Sequence, residues 1–348
     1  MKIIDDIKLD FSDVLLLPKQ SPYSSRSEVI LERTIKFKYS SMAWTGIPIM
    51  VSNMDTTGTL EMAKVMSKHK VITCLHKYYK ASDILQQIND LNKEYYAVTS
   101  GINDADLLNL DEIMRLVNPK IICMDVANGY IHKFIEKCRE VREKYPEKII
   151  IAGNVCTSEG VLDLVMNGKV DIVKVGLGNG SCCTTRKQTG IGMPQLSAVI
   201  ECSDTAHGID AHIISDGGIQ VVGDFSKAYA SGADFVMSGS MFAGHVESGG
   251  DLITDKVTGK IYKIFYGMSS STAMNKYCDG VAKYRSAEGK SVKIEFRGHV
   301  EFTLLDILGG IRSCMTYLGA KKIKDIPKCA TFIRVNRQLN QIYNGLEV

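Results

Sequence analysis

Apolar residues recur along the chain in short β-branched runs, each followed by a polar or glycine-bearing tail. The runs are IPIMVSNM (47–54), VITCLHK (71–77), YYAVTSG (95–101), KIICMDVANG (120–129), KIIIAGNV (148–155), DIVKVGLG (171–178), HIISDGG (212–218) and DFVMSGS (234–240). Nearly continuous apolar character, rather than alternation, is what a strand covered on both faces requires. Between the runs lie amphipathic stretches such as TLEMAKVMSKH (59–69) and TSEGVLDLVMNG (157–168). The second opens on a candidate N-cap, Thr157 or Ser158, and ends at Gly168. Most strand starts fall about 22–28 residues apart, the length of one βα unit. The pattern predicts an α/β chain folded as a single (β/α)8 TIM barrel, with its chemistry at the C-terminal ends of the strands. A doubly wound open sheet is the alternative, but no GxGxxG opens a first βα turn.

Two stretches depart from this rhythm. The gap from 178 to 212 holds the loop GLGNGSCCTTRKQTGIGMPQ, and a long loop at a strand's C-terminal end is more often functional than idle. After the eighth run, residues 244–298 are rich in glycine and charge without extended apolar periodicity, which predicts a mobile flap over the barrel mouth, about 268–298. TGK (258–260) there is expected to be a hairpin turn only. Helical periodicity resumes with FTLLDILGGIRSCMTYLG (302–319) as the barrel's closing helix. No linker or low-complexity tract interrupts the chain, so residues 1–348 are expected to form one domain, with an N-terminal extension over about 1–46 and no inserted regulatory domain.

Composition narrows the functional class. The 42 Lys and Arg against 39 Asp and Glu leave a net charge of +3 spread along the chain, which argues against general affinity for nucleic acid or an anionic membrane. No run approaches the ~20 apolar residues of a membrane span, and MKIIDDIKLDF carries acids where a signal peptide has a basic flank. A cytoplasmic protein is expected, with its 10 cysteines reduced and, lacking CxxC spacing, no structural zinc.

The candidate chemistry lies in the tails. SDGG (215–218) and SGS (238–240) end the last two barrel strands, where such barrels commonly bind phosphate through backbone N–H groups, and Ser181 and Ser240 could add hydroxyl donors. Asp216, an acceptor only, suits a ribose diol. Cys74, Cys123 and Cys314 sit in apolar runs and read as core fillers, whereas Cys182 and Cys183 lie among Gly, Ser and Thr near Arg186. A loop thiol there is a candidate nucleophile. Spacing alone does not choose between the two sulfurs, and a vicinal redox switch is the competing reading. Lys77, at the end of the second strand, is expected to face the mouth; Asp125, Asn128 and Asn154 could read polar ligand edges. Glu288 in RSAEGK has by itself the pattern of a solvated acid. Carbonyls of GLGNGSCC turned inward would suit a monovalent cation.

Taken together, LDFSDVLLLPK (9–19), SNMDTTGT (52–59), DVANGY (125–130), GLGNGSCCTTRKQTGIGMPQLSAVIEC (176–202), DFVMSGSMFAGHVESGG (234–250), FYGMSS (265–270), YRSAEGK (284–290) and DILGGIRSCMTYLGA (306–320) resemble the IMP dehydrogenase/GMP reductase family over essentially the whole chain. The reductase branch is the closer one. HKYYK leads straight on without the dehydrogenases' inserted domain, and YRSAEGKSVKIEFRG has no Arg-Tyr pair to activate water. The resemblance implies NADPH-dependent reductive deamination of GMP to IMP through a covalent cysteine thioimidate. It makes Cys183, directly before Thr-Thr-Arg, the nucleophile, with Thr185 and Glu288 handling the ammonia proton and Lys77 near the cofactor. It implies GMP contacts from Ser181, Asp216, Gly217, Gly218, Gly239, Ser240, Gly267, Met268, Ser269, Arg285, Ser286, Ala287 and Gly289. Cofactor contacts would come from Lys77, Asp125, Val126, Ala127, Tyr284 and Arg285, and from a neighbouring subunit's Ser25, Arg26, Ser313, Cys314, Met315 and Thr316 in a homotetramer. Gly178, Gly180 and Cys183, with Arg186 adjacent, would hold a monovalent cation such as K+. Asn179 and Ser240 stand where the family usually has proline and glycine. An IMP dehydrogenase without its insert, a silent GMP-binding barrel and a flavin-dependent barrel oxidoreductase are the competing expectations.

Overall fold

The computed structural model describes residues 3–277, 280 and 286–336. Eight parallel strands close into a barrel: β1 (Ile49–Val51), β2 (Ile72–Leu75), β3 (Tyr96–Ser100), β4 (Ile121–Asp125), β5 (Ile149–Val155), β6 (Ile172–Val175), β7 (His212–Asp216) and β8 (Phe235–Ser238). Each occupies one of the apolar runs. Helices follow in turn: α1 (Leu60–Lys68), α2 (Ala81–Leu85), α3 (Asp104–Leu116), α4 (His132–Lys144), α5 (Ser158–Leu162), α6 (Gln195–Gly208), α7 (Val222–Ala230) and α8 (Val300–Leu318). Thr59 and Thr157 cap α1 and α5 by accepting backbone N–H groups from Met62 and Gly160.

Alternation along the strands builds two cores. Outward residues such as Val51, Ile150, Ala152, Val173 and Val175 pack against the helices. Inward residues such as Met50, Ile72, Ile121, Ile151, Ile172 and Phe235 fill the barrel. A hairpin of Arg33–Lys36 and Ala43–Gly46 plugs the N-terminal end, with Trp44 1% exposed and its ring 5.2 Å from that of Phe235. That hairpin closes the barrel interior from below and leaves its C-terminal mouth uncovered by it.

The region after β8, expected as a flap with a hairpin turn at 258–260, carries regular structure of its own. Leu252–Thr254, Ile261–Tyr266 and Ser291–Glu295 form an antiparallel sheet, and Ser271–Tyr277 a short helix. The final strand, SVKIE, alternates exposed and half-covered positions over five residues, too short a signal to stand out among charges. TGK lies in the turn between the first two strands. A second feature had no sequence signal: Val14–Leu16 pairs antiparallel with Phe332–Arg334, fastening the N-terminal segment to the chain's far end.

Candidate active site

The loop after β6 carries the tandem thiol, and folding treats its two sulfurs differently. Cys182 is 4% exposed, packed with Ala243 and Phe265 under the flap sheet. Burial pushes its thiol up to about 11, so it stays protonated and inert near neutrality. Cys183 is half-buried, and its Sγ–H donates to Thr185 Oγ1 at 3.2 Å. The Thr185 hydroxyl in turn donates to Glu288 Oε2 at 2.8 Å. A nucleophile, a hydroxyl and a carboxylate thus form one hydrogen-bonded chain, although Glu288 lies 103 residues from Thr185.

Backbone pairing brings Glu288 there. Thr184 N–H donates to Glu288 O (2.8 Å), Glu288 N–H to Ser269 O (3.0 Å) and Lys290 N–H to Cys182 O (2.9 Å). Gly289 bridges to both Cys183 and Ser270, and a Cβ on it would stand 2.9 Å from Ser270 N, so only glycine allows this approach. Gly267 joins the same layer by donating its N–H to Lys290 O (3.3 Å), with Met268 and Ser269 following it, while Ser286 and Ala287 precede Glu288 in the chain with Ser286 exposed. Tyr284 and Arg285 lie outside the described residues.

A buried acid anchors the layer. Asp55, after β1 and 5% exposed, accepts at Oδ2 from Tyr266 (2.5 Å), Tyr277 (2.9 Å) and Lys276 (3.1 Å). Its backbone N–H points to Met268 Sδ at 3.4 Å, and the ring of Tyr277 stacks on that of Tyr78.

Across the mouth, Asp216 ends β7 and Asp125 ends β4. The ammonium of Lys174 (β6) lies 3.3 Å from Oδ2 of each. Asn53 donates its amide to Asp125, and Asn154 donates to Asp216 at 2.9 Å. Gly217 and Gly218, at φ 82° and 77°, turn the chain in the left-handed region where other residues are strained. Asn179 packs against both and donates to Asp216 O at 2.8 Å, a tether that holds this loop where a proline would have stiffened it. Ser240 donates to Ile219 O at 3.2 Å and so joins the two glycine turns, while Gly239 faces Met54. Lys77 sits at the end of β2, ion-paired with Asp106 at 3.2 Å. Ser181 is exposed beside the thiols, and Val126 and Ala127 continue from Asp125 with Ala127 open to solvent.

The remaining residues singled out by the sequence lie in other surroundings or serve the loop's backbone. Arg186, expected beside the thiol, is engaged instead by Asp10 (3.3 Å) and Met193 O (2.7 Å), its stem packed on Gly178. Gly180 O accepts from Cys183 N–H. Ser25 and Arg26 form a turn whose neighbour, Val29, accepts from Arg312 of α8, the helix that also carries Ser313, Cys314 and Thr316. Met315 is fully buried in its own core, backbone included. Among the described residues no group of three or more His, Cys, Asp or Glu is placed to hold a metal ion, and no helix is long and apolar enough to cross a membrane. Sequence reasoning missed Lys174, Asn53 and Asp55. For Lys174 the signal was the charge in DIVKVG, in register with inward-facing Ile172, and Asn53 and Asp55 stood in the polar tail SNMD of the first strand.

The profile of the IMP dehydrogenase / GMP reductase domain family matches residues 8–340. The chain is 52% identical over 346 residues to GMP reductase 2 of Homo sapiens, covering 98% of each chain. It is 51% identical over 351 residues to GMP reductase of Caenorhabditis elegans, covering 100% of this chain and 97% of the other. Against GMP reductase of Buchnera aphidicola the figure is 51% over 351 residues and 100% of both.

Proposed function

Because the chain belongs to the IMP dehydrogenase/GMP reductase family, we propose that it is a GMP reductase: GMP + NADPH + H+ → IMP + NH3 + NADP+. The observation that carries this reading is the continuous chain from Cys183 Sγ through Thr185 Oγ1 to Glu288 Oε2. It supplies a sulfur nucleophile together with a proton path, the two needs of displacing an amine from an aromatic carbon.

The Cys183 sulfur adds to C2 of the purine, and its proton enters the Thr185–Glu288 pair. That pair returns a proton to the departing amine, so ammonia leaves and C2 remains bonded to sulfur as a thioimidate. A reduced nicotinamide dinucleotide supplies the hydride that C2 then needs. When the C–S bond breaks, Cys183 leaves as a thiolate and takes up the H+ of the equation to restore its thiol, and IMP is released. Residues 288–290, paired with the thiol loop, keep water from the thioimidate, whose hydrolysis would yield XMP instead.

The glycine turns at 217–218 and 239–240 hold the phosphate, and Asp216 the ribose diol. The dinucleotide's site is supported by Asp125: its Oδ1 accepts no hydrogen bond among the described residues, which fits a carboxamide donor. Lys77, Val126 and Ala127 border it. Ser25, Arg26 and the 313–316 segment would serve the dinucleotide of an adjoining subunit in a homotetramer. Gly178, Gly180 and Cys183 offer carbonyl oxygens alone, a donor set fitting a monovalent cation such as K+. We read residues 1–348 as one cytoplasmic catalytic domain.

The test is direct. Purified protein is mixed with GMP and NADPH, loss of nicotinamide absorbance is followed, and the purine product is identified. GMP-dependent oxidation yielding IMP is expected. XMP formed from IMP and NAD+, without reductase turnover, would make the chain a dehydrogenase.

A further inference from the structure

Lys174 is the one charged side chain in the β6 strand, and its side chain is 2% exposed. Its register directs it into the barrel beside Ile172, and Gly153 on β5 makes room for it: a Cβ there would stand 2.5 Å from Lys174 Cβ. Around its ammonium stand Asp125 and Asp216, both 3.3 Å away, and Asn53 Oδ1 at 3.2 Å, with the thiols of Cys74 and Cys123 nearby. Burial alone would push the ammonium's pKa down. The two carboxylates outweigh it and hold the group well above its ordinary value, so it is a cation throughout the physiological range.

The bonding is one-sided. Lys174, Asn53 and Asn154 all meet Oδ2 of their carboxylate, while Oδ1 of Asp125 and of Asp216 accepts nothing among the described residues. The acids keep 27% and 17% side-chain exposure, on the mouth side. One oxygen of each is fixed from below by a shared cation, and the other is offered upward.

We infer that Lys174 is a positioning residue which locks the ribose-binding and dinucleotide-binding carboxylates into one unit, so that both subsites are aimed by a single buried cation. This rests on the roles proposed above for Asp216 and Asp125. Two like charges at a shared position repel, and removing the cation lets both carboxylates turn. A Lys174 that served only the fold would lower stability without linking the two Michaelis constants.

Steady-state kinetics of the full chain, with GMP and NADPH varied independently, tests the idea. Lys174→Met is expected to raise KM for both substrates together, each about 10- to 100-fold, the loss typical of a charged hydrogen bond. Asp216→Asn should raise KM for GMP alone, and Asp125→Asn that for NADPH alone. Adding Asp216→Asn to Lys174→Met should change the GMP value little further, because the two act as one unit. Lys174→Arg should recover part of the loss in both constants. Unchanged KM values in Lys174→Met, or losses that multiply fully in the double variant, overturn the inference. Should Lys174→Met fail to fold, Lys174→Met with Asp125→Asn keeps the local charge balance, and a wild-type KM for GMP there overturns it equally. Wild-type protein that fails to oxidise NADPH with GMP sinks the proposed activity instead, a result separable from all of these.

Discussion

The two ends of the barrel handle their carboxylates in opposite ways. At the stoppered end, Asp171 uses both oxygens twice: Oδ1 accepts from Tyr39 and Ser40 N–H, Oδ2 from Arg142 (2.5 Å) and Ile150 N–H (3.0 Å). Asp234 is likewise filled by Arg33, His207, His212 and Ile213 N–H. At the mouth, Asp125 and Asp216 each leave Oδ1 open among the described residues. A satisfied carboxylate braces the fold, whereas one with spare capacity, oriented by its own partners, can bind.

The largest break in this comparison should come from the mouth. Cys183→Ala is expected to lower kcat at least about 10^4-fold while the melting temperature stays near wild type, whereas Cys182→Ser, at the buried sulfur, should keep turnover. Activity in the first and none in the second would reverse the assignment of the thiols. Next, Glu288→Gln keeps the shape but loses the proton acceptor, and kcat should fall about 10²- to 10⁴-fold with GMP affinity, read by calorimetry, little altered. An undiminished kcat would remove Glu288 from the proton path.

The stoppered end should answer in stability instead. Arg142→Met strands the buried Asp171 carboxylate and should cost about 3–5 kcal/mol in denaturant unfolding, with KM for both substrates unchanged in the protein that remains folded. Altered KM values would mean that the bottom of the barrel shapes the mouth.

The smallest effect concerns pH and has opposite signs at the two ends. His76, at the mouth, is held down to about 4 by burial, so the unfolded chain binds the extra proton between about 4 and 6.5 and stability rises with pH there. For His212, burial favours the neutral form but Asp234 outweighs it and raises the value. Its contribution is complete below about 6.5 and is lost as pH climbs through the raised value. Thermal melts across pH should show His76→Gln flattening only the acid limb and His212→Gln only the alkaline one. A common change in both limbs would break the assignment.

Most of the barrel could be read from hydrophobic pattern alone, because each strand between helices and packed interior must be apolar on both faces. The flap sheet could be read only in part: its first two strands are a local hairpin around the expected turn at 258–260, whereas the third strand joins from across the gap between Tyr266 and Ser291, which no local pattern announces. The site divides similarly. Cys183, Thr185 and Glu288 were picked out by family resemblance, since nothing in the bare spacing joins Glu288 to a thiol loop. Lys174 escaped notice because a lysine in an apolar run shows no direction until the register is known.

The order of apolar runs determined the barrel, and its polar tails determined which end carries the chemistry. Tertiary structure alone decided which of two adjacent thiols is buried and which joins a proton path. It also decided that one interior cation would serve two carboxylates. These outcomes depend on contacts between residues distant in sequence: backbone pairing of 288–290 with 182–184, and closure of β4, β6 and β7 around a common axis. Such contacts form only when the chain pays their loop-closure entropy together, and no local pattern encodes them.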